Sequence, residues 1–162
     1  MPVVLGFLSY ICGMNSQELA SAVVDRMMSQ DWFSQWLGIE VIRIAPGECT
    51  LRMTVTKEML NGFAIAHGGI TYSLSDSALA FASNSHGRMA VSVETSISHL
   101  APVKENDVLT AKSIERSLSN KIAVYEVEVS NVNGSMVALF KGTVYRKTQL
   151  WFPTDGIEEQ AK

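Results

Sequence analysis

Charge is scarce in this chain of 162 residues: 18% of them are charged, and 13 Lys and Arg against 16 Asp and Glu leave a net −3. No Lys/Arg cluster occurs anywhere, which removes the electrostatic footprint that nucleic-acid binding needs. Cysteine is scarcer still. Cys12 and Cys49 stand far apart without metal-ligand spacing, so two buried reduced thiols of a cytosolic protein is the favoured reading and one disulfide the alternative. His86 and His99 have no Cys, Asp or Glu partners at metal spacing, and no metal site is expected. The amino terminus, MPVVLGFLSYICG, is apolar but lacks a basic leading segment and an A-x-A-like cleavage site. That argues against export, with Met14 as an alternative start. Repeats and low-complexity segments are also missing.

What remains is a hydrophobic content of 47%, enough for one domain with a substantial core. Asn15 followed by Glu18 is a capping-box-like signature ahead of a helical stripe, Leu19, Val23, Val24, Met27 and Met28. Asp31 is positioned to cap a short helix, WFSQWLG, ended by Gly38. From Ile39 the period changes to alternation, and Pro46-Gly47 joins two alternating runs into a hairpin. Four strand-like runs, 89–100, 107–118, 121–132 and 135–148, close the chain with little helix between them. Asn133-Gly134 is a strong hairpin signal and Ser119-Asn120 a weaker one. The tail from residue 149 loses periodicity and reads as loose, with Leu150, Trp151 and Phe152 as candidates to dock. The expected division is an extension and helix over 1–30, a main domain over 31–148 and a tail over 149–162.

The organising stretch runs from Asn61 to Gly87. Its helix-length part, from about His67 to His86, has small and apolar residues on every side and a single formal charge, Asp76, so it reads as a helix enclosed by protein. It is too short, and too rich in Ser, Asn and Asp, to span a bilayer. Long antiparallel strands curling around one buried helix reconcile the two patterns, an α+β fold whose open sheet leaves an edge for a second copy to cover.

An ionised carboxylate inside an enclosed helix costs several kcal/mol unless compensated, so Asp76 either finds a partner or serves chemistry. Gly68 and Gly69 open that helix, where unpaired N–H groups and the macrodipole suit an oxyanion; close packing of the loop is the plainer alternative. Eight residues separate Gly68 from Asp76, about 12 Å at roughly 1.5 Å per residue. One carbonyl cannot touch both, so cooperation between them requires two subunits with antiparallel helices. Asn61 offers an amide to a substrate carbonyl or fills a turn with Gly62, and His67 is a donor or a backbone-tied loop residue. Ser73, Ser75 and Ser77 crowd Asp76 without forming a nucleophile elbow.

These residues together resemble a known signature. Asn61-Gly62, His67-Gly68-Gly69 and Leu74-Ser75-Asp76-Ser77-Ala78 are similar to the hotdog-fold acyl-CoA thioesterases of the PaaI type. The likeness continues through Phe81-Ala82, Asn84, Ser98-His99-Leu100-Ala101-Pro102, Asp107–Ala111 and Val137–Gly142, covering about residues 32 to 147. It implies a long antiparallel sheet wrapped around a central helix, and a homodimer or homotetramer with shared sites. It also implies thioester hydrolysis, needing no cofactor because coenzyme A arrives as part of the substrate. By the same resemblance Asp76 is the nucleophile or general base, Gly68 the oxyanion donor, and Asn61 and His67 its polar neighbours. Gly69, Ser77 and His99 are expected at the substrate. Two departures stand out: Ala101 where many members carry Arg, and His99 where Asp or Asn is frequent. A hotdog hydratase or dehydratase and a non-catalytic acyl-CoA binder are the rival readings.

Overall fold

The computed structural model describes residues 13–152, and Asn15 opens the first helix among them. Its side chain accepts from the Gln17 and Glu18 N–H groups while the Glu18 carboxylate accepts from the Asn15 N–H, so the capping box forms and starts α1 (Ser16–Met28). Asp31 caps α2 (Trp32–Trp36) by accepting from the Ser34 N–H, and Gly38 ends the segment at φ +69°, a conformation costly for a side chain. The apolar amino terminus, with Cys12 and the question of export, lies outside the described residues, as does the chain from residue 153.

The hairpin around Pro46-Gly47 joins β1 (Glu40–Ala45) to β2 (Glu48–Thr54). One 3₁₀ turn, Lys57–Met59, leads to the central helix α3 (Gly68–Asn84). After it come β3 (Arg88–His99), β4 (Val108–Leu118), β5 (Ile122–Ser130) and β6 (Met136–Leu150), each end within two residues of the run read from the sequence. The strands make one antiparallel sheet in the order β1-β2-β4-β5-β6-β3. Thus β3 leaves the central helix, lies at the far edge and pairs with β6, while β1 forms the other edge. This is the α+β hotdog arrangement: α3 packs across the sheet and touches all six strands.

The core is the helix–sheet interface. Leu74, Ala78, Phe81 and Ala82 of α3 meet Leu51, Leu109, Tyr125, Val127 and Phe140, all essentially inaccessible to water. Burying a side chain of the Leu or Phe class contributes about 1.5–3 kcal/mol, so this layer sets the position of everything α3 carries. Gly142 permits the closest approach, because a Cβ there would overlap the δ-methyl groups of Leu79. Cys49 is a free, buried thiol on β2, and burial pushes its pKa up to about 12.

Polar contacts anchor the carboxyl end of α3. The Ser85 hydroxyl accepts from the Gly47 N–H, and His86 Nε2 and the Tyr125 hydroxyl converge on Glu115 Oε2 at 2.6 Å each. Burial and the bond to Glu115 raise the Tyr125 phenol, which keeps it a donor. The chain's last described residues join this end. Trp151 donates its N–H to the Gly87 carbonyl and its indole Nε1–H to Asn84 Oδ1. Arg26 donates to the Trp151 carbonyl and lies 5.4 Å above the Phe152 ring, so Trp151 and Phe152 do dock, and β6 carries Leu150 in the sheet. Among the described residues no helix is long and apolar enough to cross a membrane.

Candidate active site

His67 is the N-cap of α3, and its Nδ1 accepts from the Gly69 N–H at 3.0 Å. That bond uses up the Gly69 amide and assigns the neutral ring's proton to Nε2. The Gly68 N–H, one residue earlier, makes no hydrogen bond among the described residues. It is therefore a free donor at the electropositive end of a helix of 17 residues.

The neighbouring groups are arranged around it. Asn61 Oδ1 accepts from the Phe63 N–H at 2.8 Å, leaving the two Nδ2 protons without a partner among the described residues. The turn behind it holds Ala64 at φ +58°, a left-handed conformation costing about 1–2 kcal/mol outside glycine. His99, from the end of β3, lies with Nε2 3.1 Å from where a Gly68 Cβ would be. Its Nδ1 is 3.1 Å from the Thr71 hydroxyl, which donates to the Gly68 carbonyl, so Nδ1 is the donor of that pair. Asn61, His67, Gly68, Gly69 and His99 thus belong to one end of the helix.

Asp76 does not. It is half-buried, and no hydrogen bond or ion pair reaches it among the described residues. Desolvation raises its carboxyl above the usual aspartate range. It lines a cavity of about 340 Å³ that extends toward Leu79, Asn84, Val91 and Trp151, and none of the five residues at the helix amino terminus borders that cavity. Ser77 takes neither side: its hydroxyl is 2.9 Å from that of Ser34, which donates to Asp31, tying α3 to α2.

Within one chain the acid and the free amide are therefore unpartnered and apart, by the eight-residue rise of about 12 Å deduced from sequence. Several contributors were missed at the sequence level. Thr71, Asn84, Lys147 and Trp151 all shape one half or the other. A usable signal did exist for the cavity wall: Asp76, Leu79, Ala80, Ser83 and Asn84 fall at helical spacing on one face. Trp151 and Lys147 come from the last strand and beyond, and no local pattern links them to Asp76.

Residues 63–138 match the sequence model of the Thioesterase superfamily. A putative esterase of Archaeoglobus fulgidus is 39% identical over 137 residues, which is 85% of this chain and 89% of that protein. The acyl-coenzyme A thioesterase PaaI of Escherichia coli is 39% identical over 120 residues, 74% of this chain and 86% of its own. The solved E. coli PaaI structure superposes with a TM-score of 0.82 at 35% identity, covering 84% of this chain and 99% of that one. A Streptococcus mutans structure bound to acetyl CoA superposes with a TM-score of 0.66 at 26% identity, over 67% of this chain and 88% of that one.

Proposed function

Because this chain belongs to the thioesterase superfamily, we propose that it hydrolyses acyl-coenzyme A thioesters to a free acid and coenzyme A, at sites shared between two copies. One observation carries the reading: a single helix bears a free electropositive amide and an unpartnered, desolvated carboxylate too far apart to meet. The acetyl CoA bound by the S. mutans relative supports the ligand class. The edge of β3 supports the assembly, since no other strand among the described residues pairs with its outer side, where Asn84 bonds only the N–H and C=O of Ala90, and Val91 and Val93 are exposed along it. Two copies joined there lay their helices antiparallel and bring Gly68 of one to Asp76 of the other, as a dimer or as half of a tetramer.

In that site the thioester carbonyl oxygen accepts from the Gly68 N–H, with Asn61 Nδ2 within the same loop to bond the substrate. Asp76 of the partner subunit works in one of two ways. As nucleophile, it attacks the carbonyl carbon; the C–S bond breaks, coenzyme A leaves as thiolate, and water hydrolyses the mixed anhydride. As general base, it takes a proton from a water that attacks directly, and the same C–S bond breaks. Label in the Asp76 carboxyl after single-turnover hydrolysis in ¹⁸O-water identifies the first route, because it enters only when water attacks the aspartyl carbonyl of the anhydride. His67 orients the amide loop through Gly69, and His99 flanks the carbonyl site. No cofactor takes part, and the setting is cytoplasmic.

The test is release of free thiol from a panel of acyl-CoAs. A hydratase, a dehydratase and a passive acyl-CoA binder all release none. Near-wild-type turnover by Asp76→Ala would overturn the assignment of that residue.

A further inference from the structure

The cavity that Asp76 lines reaches the carboxyl end of α3, where Trp151 joins its lining beside Asn84. One wall is the α3 face carrying Asp76, Leu79, Ala80 and Asn84. Val91 of β3 and Met27 of α1 add apolar surface, and Trp151 lines the same space. Asn84 fixes that indole. It is only 2% exposed, and its amide is fully engaged: Oδ1 accepts from Trp151 Nε1 (2.7 Å) and Ala90 N (2.9 Å), while Nδ2 donates to the carbonyls of Ala80 (2.9 Å) and Ala90 (3.1 Å). A side chain so committed has nothing left for a ligand. It is a positioning residue, and what it positions is the Trp151 ring, held also by the Trp151 N–H bond to Gly87.

Length then bounds the occupant. From Asp76 to Asn84 the helix rises about 12 Å. An extended carbon chain advances about 1.2 Å per bond, a third of the roughly 3.3–3.6 Å of a three-bond residue, so about ten bonds fit. The cavity volume of about 340 Å³ has room for a group of that length. Lys147 also borders the cavity, but its long stem lets the ammonium turn to water.

Resting on the thioesterase reading, we propose that this cavity receives the acyl group and that the Trp151 indole, positioned by Asn84, is its end wall. The wall limits the substrate to compact apolar acyl groups, aryl or straight-chain, of about ten non-hydrogen atoms.

The experiment is kcat/KM for a straight-chain acyl-CoA series from butyryl to palmitoyl, with an arylacetyl-CoA alongside, on the full-length protein. Wild type should peak near decanoyl, accept the aryl substrate and fall beyond the peak. Trp151→Ala, and Trp151→Leu as the milder change, should shift the optimum to longer chains. The palmitoyl-to-decanoyl ratio should rise at least about tenfold, the effect expected of even one added methylene in an apolar pocket. A wild-type rate that climbs steadily to palmitoyl overturns the end wall whatever the variants do, and so does an active Trp151 variant with the wild-type profile. Thiol release from none of the series by wild type overturns the thioesterase reading itself, which distinguishes the two failures.

Discussion

Replacing Gly68 with proline deletes one hydrogen-bond donor and asks a small shift of His99. Gly68 is the first residue of α3, the position at which proline's fixed φ and missing N–H are best tolerated in a helix. The residue before it, His67, already has φ −59° and ψ 139°, the extended backbone that a following proline demands. The new Cβ would meet His99 Nε2 at 3.1 Å, and His99 is an exposed side chain able to yield a few tenths of an ångström. Gly68→Pro should therefore fold and assemble like wild type while kcat falls by about 10²–10³, or roughly 2.7–4 kcal/mol of transition-state stabilisation. A circular-dichroism melt and thiol-release kinetics check the two halves of that statement. The same variant also tests the sharing of sites. Mixing it with Asp76→Ala under subunit exchange yields hybrids in which one of two sites is intact, so an equal mixture of dimers recovers about one quarter of wild-type activity. Hybrids that form but stay inactive would refute the division of labour between subunits. A folded Gly68→Pro with full activity would refute the role of the amide.

Asp76→Asn should lose activity yet gain stability. The folded carboxyl titrates above its unfolded value, so the contribution of the neutral acid is complete at low pH and is lost as pH rises through the folded pKa. The variant should then melt higher than wild type at neutral pH, the gap closing in acid, while the acid limb of the wild-type kcat/KM profile sits above the ordinary aspartate range. Gly142→Ala drives a methyl into Leu79 and should cost about 1–3 kcal/mol, read as a Tm lower by about 2–4 °C per kcal/mol. Asn84→Ala orphans Trp151 Nε1 and both polar groups of Ala90; at about 1–3 kcal/mol per buried unpaired group it should lower Tm more than Gly142→Ala does.

The sequence was legible where structure is local. Asn15 and Glu18 announce their own helix, Asn133-Gly134 its turn, and period-two alternation the four long strands. The enclosure of α3 followed from its lack of a polar face, and the separation of Gly68 from Asp76 from helix rise alone. Pairing across long separations was not legible. Nothing in MAVSVETSISHL says that it bonds to the last strand instead of the next one, because register is decided by the assembled sheet. Trp151 looked like part of a tail for the same reason. Its partners, Gly87, Asn84 and Arg26, are between 64 and 125 positions away, and their bonds to it carry no periodic trace.

The edge position of β3 has a consequence for how this protein is made. β3 ends at His99, but β6, the strand it pairs with, ends at Leu150. At roughly 5–20 residues per second, translation leaves β3 waiting several seconds for its neighbour to emerge. Throughout that delay the nascent chain displays an unclaimed strand beside an apolar helix, the kind of surface that holding chaperones recognise. Closure has to wait for β6, so the delay is built into the order of the strands.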